Sequence, residues 1–270
     1  MNLQKASRFF RKRKPKLYNF LFVFAADPPM KPLDANVQPS PDNETHPPIR
    51  SFIRRQGRLT HGQIKALENL WPRFGIEPQE PLNAEQRFGG KGPLVLEIGF
   101  GNGESLAQMA AQHPETHFVG IDVHLPGVGH LLMRLEEQGL ENVRVYETDA
   151  VEVLKQGIED ESLDRLQLFF PDPWPKKRHH KRRIVQPEFM DLVIRKLKPQ
   201  GVFHAATDWE DYAHGMAEVL NSIDTLHSMA EDGGSFSPRP DYRPETKFER
   251  RGTRLGHGVF DLLYQKSSTG

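Results

Sequence analysis

Residues 169–183 read Phe-Phe-Pro-Asp-Pro-Trp-Pro-Lys-Lys-Arg-His-His-Lys-Arg-Arg. Three chemistries are packed into this run. Asp172, between two prolines, offers a carboxylate able to accept hydrogen bonds from the N–H groups of a base edge. Trp174 offers a flat apolar face, suited either to stacking on an unpaired base or to anchoring the loop in the core. Lys176, Lys177, Arg178, Lys181, Arg182 and Arg183 place six cations within eight residues, a density suited to gripping phosphates. His179 and His180 show no metal-ligand spacing, so contacts to base or backbone are expected of them and no metal is expected. The run as a whole describes a loop that holds nucleic acid while a carboxylate works on one base.

A second set of residues lies upstream, where short apolar runs end in glycine or acid. Leu94-Val95-Leu96-Glu97-Ile98 reads as a buried strand, followed by the turn Gly99-Phe100-Gly101-Asn102-Gly103. A glycine turn between strand and helix lets a ligand lie against backbone at a helix start. Gly99 and Gly101 fit the dinucleotide fingerprint, but Glu104 stands where its third glycine belongs and would repel a pyrophosphate. Glu97, Asp122 and Asp149 end three successive strands, in the crevice where open α/β sheets bind ligands. A ligand with a cationic centre, a ribose and an adenine suits them, which points to S-adenosyl-L-methionine. The bland alternative is that Asp122 and Asp149 cap the helices that follow.

The elements that must position these groups alternate. Strands are expected at 94–98, 118–122, 143–149, 166–170, 202–207 and 259–264. Helices are expected at 60–75, 104–112, from Pro126 to Gly139, from Val151 to Leu154, at 187–197 and at 209–220, with a loop over 76–91. Strand–helix alternation implies a parallel sheet with right-handed crossovers. Asp208, after the strand ending at Thr207, either faces the same crevice or caps the next helix. The stretch from Arg243 to His257 is too charged for core and reads as a substrate-contacting loop ahead of the closing strand.

The front of the chain differs. Basic residues before Leu17–Ala26 have the order of a secretory signal, but the apolar run is far shorter than the ~20 residues of a membrane span. Pro28 and Pro29 also sit where cleavage would occur, and Met30 is an alternative start. Residues 1–49 are expected to be a disordered extension, 50–90 an arm and helix whose Arg50, Arg54, Arg55 and Arg58 suit phosphates, and 91–266 the catalytic domain. Thirty-six basic residues balance 36 acidic ones, so only local clustering speaks for a polyanion partner. With no cysteine, disulfides, thiolate zinc sites and a cysteine nucleophile are excluded, and a reducing compartment fits.

The reaction admits alternatives at this point. Attack by guanine N7 needs no prior proton loss, because N7 holds a lone pair; Asp172 would then orient the base and stabilise the developing positive charge. Pro-Asp-Pro-Trp also resembles the Asp/Asn-Pro-Pro-Tyr/Phe loop of amino-methyltransferases, which would make the nucleophile an exocyclic amine. An RNA-binding protein that keeps the fold without turnover is a third reading.

The chain resembles the bacterial tRNA (guanine-N7-)-methyltransferase family from about residue 50 to 265. The resemblance is carried by Leu96–Gly103, Gly120–His124, Asp149-Ala150, Phe170–Trp174 with Lys176 and Arg178–Arg183, Thr207-Asp208, Thr246–Glu249, Arg251-Gly252 and Leu255–His257. It implies a Rossmann-like class I fold: a mostly parallel seven-stranded sheet with helices on both faces. It implies methylation of guanosine 46 in the tRNA variable loop, with S-adenosyl-L-methionine as donor. It assigns Glu97, Asp122 and Asp149, with Gly99 and Gly101, to the cofactor, and Asp172 to the catalytic position. Lys176, Asp208, Thr246, Lys247, Phe248 and Glu249 go to substrate, and Arg178, His179, His180, Lys181, Arg182 and Arg183 to RNA. A cytoplasmic monomer acting on tRNA, away from membranes, is the corresponding expectation.

Overall fold

Leu94–Ile98 has all five residues buried, as a strand covered on both faces must. His117–Ile121 is buried in the same way. In the computed structural model, which describes residues 57–245, 249 and 258–268, these strands lie parallel, Leu94 opposite His117 and Ile98 opposite Ile121. They are β2 and β3 of an eight-stranded sheet. The others are β1 (Gly75–Ile76), β4 (Val143–Tyr146), β5 (Leu163–Phe169), β6 (Leu197–Thr207), β7 (Leu226–Ser228) and β8 (Phe260–Lys266). Their order is β1-β4-β3-β2-β5-β6-β8-β7. β8 runs antiparallel to β6 and β7, and the other pairings are parallel.

The helices are α1 (His61–Asn69), α2 (Trp71–Phe74), α3 (Ala84–Phe88), α4 (Glu104–Gln112), α5 (Leu125–Glu137), α6 (Ala150–Gln156), α7 (Pro187–Lys196) and α8 (Glu210–Asn221). Successive crossovers step outward from β2 to β4, then from β5 to β6 in the opposite direction. Because such crossovers are right-handed, the two series place helices on opposite faces of the sheet. β2 and β5 are therefore the neighbours at which the chain reverses, and the crevice beyond their C-terminal ends is the natural ligand site of this topology.

β2 to β8 are the seven strands of the expected Rossmann-like class I fold. β1 is an addition, two residues paired with Val145 and Tyr146. The stretch 76–91, expected as loop, also holds α3, capped by the Asn83 side chain and closed by Gly89 in the left-handed region. β6 begins at Leu197 instead of Val202, because Pro199–Gly201 form an irregularity within the strand rather than a break before it. Thr60 starts α1 with a capping box: its side chain accepts from the Gln63 amide, and the Gln63 side chain accepts from the Thr60 amide. Among the described residues no helix is long and apolar enough to cross a membrane. Arg50, Arg54, Arg55, Thr246, Lys247, Phe248 and residues 250–257 lie outside the described residues.

Candidate active site

β2 leaves the sheet through three left-handed glycines, Gly99 (φ +76°), Gly101 (φ +59°) and Gly103 (φ +72°). Gly103 has no room for a side chain: a Cβ there would lie 2.6 Å from the Leu131 Cβ of α5. Gly99 and Gly101 differ, with nothing within 4 Å of a Cβ placed on them, so their backbone borders open space. Asp122 fixes this turn. Its Oδ2 accepts from the Gly101 amide and its Oδ1 from the His124 amide, both at 2.8 Å. Asp122 is therefore not a helix cap; α5 starts from His124 without a side-chain cap. Each of its oxygens keeps a second lone pair. Burial pushes the Asp122 carboxyl up against the opposing pull of those amides.

Glu97 lies one strand away and is 3% exposed. Its Oε2 has no hydrogen-bond partner, a costly condition for a buried carboxyl. Burial, and then the nearby Asp122 charge, push it up to about 8, while Arg165 pulls the other way. A strongly perturbed, partly unsatisfied acid in a crevice is a signature of a functional position. Asp149 does what the bland alternative proposed: it caps α6, accepting from the Val151 amide at 2.9 Å. Glu97, Asp122 and Asp149 thus stand at the ends of the adjacent strands β2, β3 and β4.

β5 leaves the sheet beside them. Phe170 (φ +50°) and Trp174 (φ +46°) are both left-handed without being glycine, and they bracket Pro171-Asp172-Pro173. Such conformations cost on the order of 1–3 kcal/mol each and persist where surrounding contacts enforce them. Those contacts are visible. The Phe170 amide donates to the Ala206 carbonyl at 2.7 Å. Trp174 is buried at 9% exposure, with the His179 ring edge-on at 5.9 Å and the Arg182 guanidinium 4.9 Å from its ring centre. The anchoring role of Trp174 is the one the structure shows. Asp172, held between these pegs, is exposed.

The basic segment forms a 3-10 helix over Lys177–Arg182. Lys176, Lys177, Arg178, Lys181 and Arg182 are exposed, and His179 and His180 are half-buried. Arg183 departs from the expected RNA contact. It is buried, donates through Nε to the Pro173 carbonyl at 3.0 Å, pairs with Asp211 and lies over the Tyr212 ring. Its guanidinium is used inside the protein because α8 brings an acid and an aromatic ring to it.

β6 delivers Asp208 and Trp209 next to the Asp172 turn, since Phe169 pairs with Ala206. Asp208 is exposed and does not cap α8, whose N-cap is Trp209. Trp209 is 40% exposed; its only sequence signal is a tryptophan following an acid at a strand end.

The charged stretch beginning at Arg243 is not all solvent-facing, contrary to its composition. Arg243 is 1% exposed and grips both oxygens of Asp261, Nε to Oδ1 at 2.7 Å and Nη2 to Oδ2 at 2.8 Å. Its Nη1 holds Glu249 Oε1 at 2.7 Å. Glu249, expected at the substrate, thus turns one oxygen into a buried ion cluster. Asp261 also meets His204 at 2.8 Å, and burial keeps that imidazole below its usual range.

Comparison with known proteins adds the following. A family model described as a putative methyltransferase matches residues 91–262. A tRNA (guanine-N(7)-)-methyltransferase of Alcanivorax borkumensis is 60% identical over 81% of this chain and 91% of its own length. One of Methylococcus capsulatus is 58% identical over 81% of this chain and 94% of its own. The solved structure of the 16S rRNA methyltransferase KamB aligns with 70% of this chain and 95% of its own at 18% identity and a TM-score of 0.48.

Proposed function

This chain belongs to the tRNA (guanine-N7-)-methyltransferase family, and on that premise we propose that it methylates N7 of guanosine 46 in the variable loop of tRNA, with S-adenosyl-L-methionine as donor. The observation that carries the reading is the exposed carboxylate of Asp172, set at the chain-reversal point beside the Gly99–Gly103 turn and the unsatisfied Glu97.

The crevice fits the donor. The orphaned Glu97 Oε2 can accept from an ammonium group, and the bare backbone at Gly99 and Gly101 leaves room for a ligand to lie flat. Asp122 and Asp149 retain lone pairs for ribose hydroxyls and an adenine amino group. S-adenosyl-L-methionine supplies a methyl carbon bonded to sulfonium, and hence electrophilic.

Guanine N7 carries a lone pair, so no base is required before attack. Asp172 accepts from the N1–H and N2–H groups of the guanine, which orients the ring and stabilises the positive charge it acquires. Asp208 and Lys176, with Thr246, Lys247 and Phe248, hold the substrate. Arg178, His179, His180, Lys181 and Arg182 hold the RNA backbone. The protein works as a monomer in the cytoplasm; its lack of cysteine suits that reducing compartment.

The test is incubation with unmodified tRNA and methyl-labelled donor, followed by mass spectrometry of the digested nucleosides. The reading requires 7-methylguanosine, absent when the variable-loop guanosine is replaced. Label in an N2- or N6-methylated nucleoside would move the reaction to an exocyclic amine. Binding without transfer would leave a tRNA-binding protein.

A further inference from the structure

We propose that Trp209 is the surface on which the target guanine stacks in the reaction complex. The inference rests on the tRNA methyltransferase reading and adds a residue to it. The protein has three tryptophans, and two are in the core: Trp71 at 7% and Trp174 at 9% exposure, against 40% for Trp209. The basic loop, whose tryptophan suited either stacking or anchoring, therefore has it turned inward.

An exposed tryptophan alone would need no explanation. Its position supplies one. Trp209 follows Asp208 at the end of β6. The Phe170 amide to Ala206 carbonyl bond ties the Asp172 turn to that strand end. Trp209 is also rigidly mounted. Its amide donates to Thr207 Oγ1 at 3.2 Å, and its carbonyl accepts from the Tyr212 and Ala213 amides at 3.0 and 2.9 Å.

The N-cap of α8 is, moreover, a place where Ser, Thr, Asp or Asn would satisfy an orphan amide. Tryptophan gives no side-chain cap there. The position is used for something other than helix stability. A flat apolar ring, fixed at its backbone and 40% exposed, flanked in sequence by Asp208 and Glu210 and two residues before the Asp211 that pairs with Arg183 of the basic run, matches what an unstacked purine requires. Asp172 reads the edge of the base while Trp209 takes its face.

The experiment compares wild-type protein, Trp209→Phe and Trp209→Ala, with unmodified tRNA and with tRNA carrying an abasic site at the target position. Expected for Trp209→Ala is a loss of about ten- to a hundredfold in kcat/KM for tRNA, the scale of one base–aromatic stack, with donor affinity unchanged. Trp209→Phe recovers most of it. The difference in tRNA affinity between wild type and Trp209→Ala vanishes on the abasic RNA. Intrinsic fluorescence of the wild type is quenched by intact tRNA, and this quench is largely lost in Trp209→Phe. The proposal is overturned by a Trp209→Ala enzyme within twofold of wild type, by an equal loss in both variants, or by a difference that survives on the abasic RNA. If wild-type protein neither binds nor methylates tRNA, the functional reading itself falls, and this inference with it.

Discussion

The Arg183 guanidinium donates through Nε to the Pro173 carbonyl across 3.0 Å, tying the far end of the basic segment to the residue next to Asp172. The same guanidinium pairs with Asp211. A buried cation therefore holds the Asp172 turn in shape, and on the function proposed above its removal should cost turnover before binding. For Arg183→Ala we expect kcat to fall about ten- to a hundredfold, with stability lower by roughly 2 kcal/mol from lost charge-assisted bonds. Steady-state kinetics and urea unfolding check both figures. An unchanged kcat would deny the turn its dependence on this bond.

The exposed cations should behave differently. Lys177→Ala or Lys181→Ala should weaken tRNA binding without changing which tRNA is preferred, and each should reduce the slope of log K against log salt by about 1. Arg183→Ala should leave that slope as it is. A salt titration by filter binding separates the two classes; equal slopes for all three variants would contradict the burial of Arg183.

Asp172→Asn keeps the side chain's shape and removes its charge. We expect kcat lower by about 10²–10³-fold, the scale of removing one preorganised electrostatic contact, with donor affinity within twofold of wild type. Calorimetry with the donor, beside single-turnover methylation, decides it. Full turnover in Asp172→Asn would remove the residue from the reaction.

Glu97 should make both stability and donor binding depend on pH. Its folded pKa, about 8, lies above the unfolded value, so between about pH 5 and 8 the folded state holds a proton that the unfolded chain has lost. Stability contributed by this group is therefore lost as pH rises through that window, by on the order of 5 kcal/mol in all. Glu97→Gln should remove this slope and raise Tm at pH 8 by several degrees. Ligation of a cationic group requires the ionised carboxylate, so donor affinity should rise from pH 6 to 8 with release of a proton. Glu97→Gln should bind more weakly and without that trend. Calorimetry in buffers of different ionisation enthalpy measures the proton; no release in wild type would end this account.

Much of this was legible because it is local. The five-residue apolar run at Leu94, the glycine turn and the acids ending β2, β3 and β4 are set by neighbours in sequence, and the alternation of strands and helices fixes the crevice. What was illegible depends on distant chain. Trp174 and Trp209 look alike in sequence, and only packing sets one in the core and the other in solvent. Arg183 stands among identical-looking cations, and its burial comes from Asp211 and Tyr212 on a later helix. Arg243 sits in a stretch whose charge argues for solvent, yet Asp261 on β8 and Glu249 draw it inside. β1 and β7, of two and three residues, are too short to leave a periodicity.

Among the described strands β8 is made last, yet it is not at the margin of the sheet: it lies between β6 and β7. A nascent chain that has reached Ser228 already holds Glu97, Asp122, Asp149 and Asp172, but the flank of β6 is unpaired and Arg243 has not met Asp261. On the function proposed above, the residues of the donor crevice precede β8 in the chain, and until β8 pairs with it the exposed flank of β6 is a template for misassociation. A chain stopped before Phe260 should still bind donor weakly, fail on tRNA, and aggregate, outcomes that ribosome-stalled chains of graded length would resolve.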